Sequence, residues 1–317
     1  MSRFKPLDLS RLRPTSLAGR HSKVSAKDLG RPHAPGGSLA EFLAGLPHFL
    51  AADDLRELAA RWAEAVRAGR TVILAMGAHP IKVGLSPVII DLLEGGLVSC
   101  LALNGAGIIH DAELALAGHT SEDVEAMLAA GDFGMAAETQ RLLNAAITEG
   151  VAQGLGLGCA VGRALRCAPN AHLSLLAAAA RLGVPATVHV ALGTDTIHIH
   201  PEASGAALGE GSLRDFRTLA AAVATLEGGV HLNLGSAVIL PEVFLKALTA
   251  ARNLGHRVAS FTTANLDFCA HYRPLTNVVR RPTAQGGRGF NLIGHHEIMF
   301  PLLAAALKET LQAKEPA

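Results

Sequence analysis

His79 and Lys82 fall in one short polar turn, and His110 and Asp111 open the segment after another. Imidazoles exchange protons near neutral pH, so His110 is a candidate general acid or base, with His79 converging on the same crevice. A lysine freed from water can form an imine, and otherwise holds an anion, which makes Lys82 either an acceptor or an anchor. Asp111 at a helix start can cap the helix or contact substrate. A third group is Asp195, His198 and His200, within Gly-Thr-Asp-Thr-Ile-His-Ile-His-Pro. If that stretch is extended, both histidines project to one side. Together, His79, His110, His198 and His200 would then offer a divalent-metal site able to activate water on a C–N bond. Glu242 and Lys246 suit a surface pair, yet Glu242 also lies in a first helical turn beside a ligand edge. His295, His296 and Glu297 read as capping and surface residues. Arg280, Arg281 and Arg288, with Gly286 and Gly287, read as a basic loop that is either solvated or binds an anion.

Positioning these residues falls to alternating strands and helices. Apolar runs at 71–75 and 97–103 flank a helical stretch at 86–94, and each run ends in a glycine-broken turn. That is a βαβ unit, and ligands of open parallel sheets sit at the carboxyl ends of the strands. Further alternation predicts helix 170–182, strand 186–192, helix 212–226, strand 229–234, helix 240–254, strand 257–262 and helix 295–313. A helical pattern covers 38–68. The Gly-Leu-Gly-Leu-Gly run at 154–158 follows a helical stretch instead of a strand, so close helix packing is expected there and a phosphate loop is not.

Of 317 residues, 50% are hydrophobic and 17% charged, enough apolar material for a large core. No apolar run is long enough to span a bilayer, and no signal peptide is evident, so a soluble cytoplasmic chain is expected. A net charge of +1 and 4% aromatic residues give no support for nucleic-acid binding. The four cysteines form no CxxC pair, and Cys100 falls inside a buried strand. Residues 1–37 are basic, rich in Pro, Ser and Gly and aperiodic: an N-terminal arm ahead of a single α/β domain over 38–317.

The order of turns, the helix start at Ser212-Leu-Arg-Asp-Phe and the closing His-Glu-Ile-Met-Phe-Pro-Leu-Leu resemble the deoxyhypusine synthase family. The similarity runs from about residue 70 to 305. It implies an α/β, Rossmann-like, open and mostly parallel sheet with helices on both faces. It also implies a homotetramer, an NAD cofactor and a small amine or polyamine substrate oxidised to an imine. NAD would then lie on Gly77, Ala78, His79, Asn104, Gly105, Ala106, Gly107, Gly235, Ser236, Thr263, Ala264 and Asp267. Asp111, Asp195, His198, His200 and Glu242 would line the substrate. The family's catalytic lysine, in a Ser-Trp-Gly-Lys segment, has no counterpart in Asn277-Val278-Val279-Arg280-Arg281-Pro282. Arginine stays protonated and cannot form the imine. The expectation is a divergent enzyme that keeps NAD and changes the chemistry. The alternatives are the metal-dependent hydrolase on the histidine cluster and a non-catalytic ligand binder.

Overall fold

The computed structural model describes residues 4–313. The chain divides into two compact units, Met1–Asp53 and Asp54–Ala317. In the first, two short 3-10 turns, Leu17–Gly19 and Ala26–Asp28, precede helix α1 (Leu39–Gly45). Ser38 and Glu41 close a reciprocal capping box at its start. Phe4, Leu7, Leu12 and Leu17 are exposed. Helix α2 (Leu50–Arg67) spans the boundary.

In the second unit, β1 (Val72–Met76) leads through α3 (His79–Lys82) and α4 (Ser86–Glu94) to β2 (Cys100–Asn104). Helices α5 (Gly105–Ala117), α6 (Val124–Ala130), α7 (Ala137–Ala152), α8 (Leu157–Leu165) and α9 (Leu175–Leu182) precede β3 (Ala186–His189). Then come α10 (Gly205–Ala224), β4 (Val230–Leu234), α11 (Ile239–Asn253) and β5 (Thr262–Asp267). A short α12 (Tyr272–Pro274) runs into a π-helical turn, Leu275–Arg280, before β6 (Arg288–Ile293) and α13 (His296–Gln312).

The six strands are parallel and ordered β3-β2-β1-β4-β5-β6. This is the doubly wound Rossmann arrangement, whose direction of winding reverses between β1 and β4. Both faces are covered. Ile73, Ala75, Cys100 and Ala102 pack against Leu219 and Val223 of α10 and Leu240, Phe244 and Ala247 of α11. On the opposite face Leu74, Met76, Leu101, Leu103, Leu232 and Leu234 are equally buried. Strands buried on both faces read as unbroken apolar runs, and that is why β1 was legible.

Two boundaries differ from the sequence reading in ways that matter. Helix α10 starts at Gly205, where the Ser204 hydroxyl caps Ala207 N–H, well before 212. Strand β5 occupies 262–267 and not 257–262, in register with β4 from Val230↔Thr262 to Leu234↔Leu266. The polar residues Thr262, Thr263 and Asn265, which suggest a turn, are inside the sheet. Gly156 and Gly158 do serve close packing. A Cβ on Gly156 would fall 1.8 Å from Asp215 Oδ1, and one on Gly158 would fall 2.1 Å from the Ala186 carbonyl. Asp215 accepts from the Gly158 and Val188 N–H groups, pinning α8 to β3.

Candidate functional site

The winding reversal brings the carboxyl ends of β1 and β4 together as two glycine turns in van der Waals contact. A Cβ on Gly77 would stand 2.3 Å from the Gly235 carbonyl oxygen. Gly235 has φ +65, and a Cβ there would meet the His296 ring at 2.7 Å. Only glycine fits either position. Ser236 is turned to structure: its hydroxyl accepts from Leu240 N–H at the start of α11.

His79, the first residue of α3, is half-buried beside this contact. Its Nδ1 lies 2.8 Å from Nδ1 of His296, and both rings pack against Phe268. His296 is 1% exposed, so it is neither a surface nor a capping residue. Its Nε2 faces the Leu266 carbonyl at 3.3 Å and Asp267 Oδ1 at 3.9 Å. Burial lowers the His296 pKa, with Asp267 opposing. Asp267 ends β5, where its carboxylate accepts from Phe268 N–H and also approaches His271.

At the end of β2, Asn104 caps α5 by accepting from Gly107 N–H at 3.0 Å. The Asp195 carboxylate lies against this helix start, with Oδ2 only 1.9 Å from where a Gly105 Cβ would stand. The segment 196–199 is a 3-10 turn and not extended, so His198 and His200 do not share a face. His198 Nδ1 accepts from Gly193 and Asp195 N–H groups, which puts its proton on Nε2. That Nε2 points at Asp195 Oδ2 across 3.8 Å, and neither buried atom has a hydrogen-bond partner. Burial raises the Asp195 pKa. His200 instead accepts from Glu202 N–H.

Lys82 is exposed, and its charge acts on His110 of α5. Desolvation, reinforced by that charge, lowers the His110 pKa to about 4, so the ring is neutral at pH 7. His110 Nδ1 contacts the Thr120 hydroxyl at 2.7 Å, and Thr120 donates to Glu113. This order makes His110 an Nδ1–H donor with a bare Nε2. Beside it opens a cavity of about 720 Å³ lined by Glu113, His119, Thr120, Glu122, Glu138 and Thr139. Its size suits a small ligand, and its carboxylates suit a cationic one.

Other candidates are used elsewhere. Asp111 is fully buried and accepts from the Ser174 hydroxyl and the Leu175 and Leu176 N–H groups. It caps α9 from within the core and cannot reach a substrate. Thr263 and Ala264 lie in mid-strand with no exposure, removing them from any turn-borne cofactor contact. Glu242 pairs with Lys246 and Arg273 and accepts from Asn277 Nδ2 at 2.8 Å, so it ties α11 to the π-helical turn. Arg281 is bound to Asn277, and Arg288 to Asp54 and Glu57, so the arginines do not form one anion-binding loop. Among the described residues no three His, Cys, Asp or Glu side chains group to hold a metal. The four-histidine cluster does not form, because His79, His110, His198 and His200 each turn to separate partners. No described helix is long and apolar enough to cross a membrane.

Sequence reasoning missed His296 and an amide ladder. Asn233 Nδ2 donates to Asn265 Oδ1, and Asn265 Nδ2 donates to Asn291 Oδ1, joining β4, β5 and β6. Asn233 and Asn265 fall near the ends of two runs read as strands, whereas no strand was expected at 288–293, so the third member of the ladder gave no signal.

No family model matches the sequence, and no curated protein matches it. Solved structures do share the fold. ArgZ, an arginine dihydrolase from the ornithine–ammonia cycle in cyanobacteria, superposes with a TM-score of 0.53 at 13% identity, over 82% of this chain and 32% of its own. AgrE, solved as a ternary complex with ornithine and NAD+, gives a TM-score of 0.50 at 14% identity, over 83% and 34%. A protein assigned as a deoxyhypusine synthase from Entamoeba histolytica gives 0.49 at 12% identity, over 87% and 95%. The chain therefore spans about a third of the length of ArgZ and AgrE. These likenesses, all below 25% identity, are likenesses of fold: an open parallel sheet with helices on both faces.

Proposed function

We propose that the protein is an NAD-dependent enzyme acting on a small amine at the carboxyl edge of its sheet. The observation that carries this reading is the glycine-on-glycine contact at the β1/β4 reversal, with ionisable side chains on its flanks. In this sheet order a dinucleotide crosses that crevice. The residues fit such a group. The first-turn N–H groups of α5, at Gly105 and Ala106, are a helix terminus suited to an anion. Asp195 Oδ2 and His198 Nε2 beside it retain unused hydrogen-bonding capacity. Gly77, Ala78, His79, Asn104, Gly107 and Gly235 would hold the cofactor with them, and Asp267 would support from below. NAD, when bound, supplies the hydride acceptor.

The chain's own residues would do the rest. Asp195, with His198 beside it, would bind a ligand hydroxyl or ammonium. His110 is too weak a base at about pKa 4 to collect a proton at pH 7. It would instead accept a hydrogen bond from the amine on its bare Nε2. Glu113, Glu122 and Glu138 would draw the cation in, and exposed Lys82 would anchor a substrate carboxylate. An amino acid amine such as ornithine, the ligand of AgrE, is the first probe to try.

The test is titration calorimetry and thermal denaturation with NAD, then with ornithine and simple diamines. A ligand at a hundredfold its Kd stabilises by about 2.7 kcal/mol, or about 5 °C for a chain of this size. Asp195→Asn should weaken that shift. An unmoved Tm in millimolar NAD, with no heat of binding, removes the cofactor reading.

A further inference from the structure

We propose that His79 Nε2 is the proton acceptor of the site and that His296 is the positioning residue that keeps it unprotonated and ready. Hydrogen-bond elimination fixes the arrangement. Both neighbours of His296 Nε2, the Leu266 carbonyl and the Asp267 carboxylate, can only accept. Nε2 must therefore carry the hydrogen of the His296 ring. A neutral ring has one N–H, so His296 Nδ1 is bare. At 2.8 Å from it, His79 Nδ1 must be the donor. The remaining nitrogen, His79 Nε2, then holds a free lone pair, and no protein atom among the described residues is bonded to it.

The geometry around this pair serves the role. His296 is immobilised by burial and by the Gly235 turn, whose missing Cβ leaves room for the ring. His79 is half-buried at the start of α3, at the winding reversal, with Phe268 against its ring. Fixing one ring nitrogen by an outer partner sets which nitrogen meets the ligand. In the transfer an ammonium R–NH3+ gives one proton to His79 Nε2, leaving R–NH2 with its lone pair and an imidazolium on His79. The imidazolium keeps its Nδ1–H bond to His296, and the Asp267 carboxylate lies behind to offset the new charge. A metal held between the rings would need both Nδ1 atoms bare, and the direct 2.8 Å contact between them is that of a hydrogen bond.

The choice of an ammonium as donor rests on the amine reading above; the tautomer does not. Two-bond 1H–15N correlation spectra of histidine-labelled protein at neutral pH, without ligand, read it directly, with His79→Gln identifying the His79 signals. The expected spectrum has His79 protonated at Nδ1 and bare at Nε2, and His296 protonated at Nε2 and bare at Nδ1. His79 protonated at Nε2, or both Nδ1 atoms bare, overturns the proposal even if NAD binds. In the full chain, His79→Gln should lower the rate of NAD-dependent ornithine oxidation at saturating NAD by about a hundredfold or more. Unchanged turnover refutes the role of His79. Absence of any NAD binding beside the expected tautomers would refute the cofactor reading alone.

Discussion

Asp111→Ala separates a structural carboxylate from a catalytic one. The Asp111 side chain receives the Ser174 hydroxyl at 2.6 Å, Leu175 N–H at 2.6 Å and Leu176 N–H at 3.1 Å, all buried. Truncation leaves two buried backbone donors unsatisfied at about 1–3 kcal/mol each, whereas the Ser174 hydroxyl still accepts from Ala177 N–H. The net loss should be about 4 kcal/mol, or about 8 °C in Tm. Burial raises the Asp111 pKa from 3.8 to about 6 despite these bonds. A carboxyl raised in the folded state makes the fold lose stability as pH rises from about 4 to about 6, in total about 3 kcal/mol for such a shift. Asp111→Asn should abolish that slope while keeping one acceptor, so its deficit at pH 7 should be smaller than that of Asp111→Ala. Urea denaturation followed by circular dichroism at pH 4.5 and 7 measures both quantities, with NAD titration as the functional control. A Tm within about 2 °C of the parent combined with lost ligand binding would refute the reasoning and return Asp111 to the substrate.

Gly77→Ala should cost about 1–3 kcal/mol and weaken NAD binding, because the new methyl must push the Gly235 carbonyl away; calorimetry with full NAD affinity would count against the crevice. Its control is Gly209→Ala in α10, where a Cβ meets nothing within 4 Å, and there a gain of about 0.5–1 kcal/mol is expected in denaturation. His231 is fully buried, stacked on Phe244 at 3.7 Å, and neither ring nitrogen has a partner. His231→Leu should therefore stabilise by about 1 kcal/mol at pH 7, and a destabilised variant would refute this. Burial lowers the pKa of His231 to about 3 and of His189 to about 4, so their contributions are full above about pH 6.5 and are lost as pH falls through the folded values. Acid unfolding of His231→Leu should accordingly begin at lower pH than in the parent. Asp215, raised to about 7 by burial, acts in the opposite sense: its share is lost as pH rises from about 4 to 7.

Local pattern carried the architecture. Apolar runs with glycine turns announced β1 and β2, Ser86-Pro87 and helical spacing announced α4, and the glycines at 156 and 158 announced tight packing. Each of these depends on a residue and its near neighbours, through periodicity or capping, and so it can be read from a string of letters. Strand β5 could not, because its threonines and asparagines are polar as side chains yet are satisfied or tolerated only through register with β4 and β6.

The site was legible only as a set of turns. Sequence placed His79, His110, Asp195 and Asp267 near strand ends, since winding order and strand boundaries suffice for that. It could not say that Asp111 turns into the core while its neighbour His110 faces the cleft, because a small rotation of α5 separates them. Nor could it pair His79 with His296, 217 residues away, or seat Asp195 on Gly105. A side chain's protonation, tautomer and reach are set by what surrounds it, and these surroundings are assembled from distant segments by the packing of helices on the sheet. Local sequence therefore determined the scaffold and the edge where chemistry can occur, and tertiary contact alone decided which groups meet there and in what proton state.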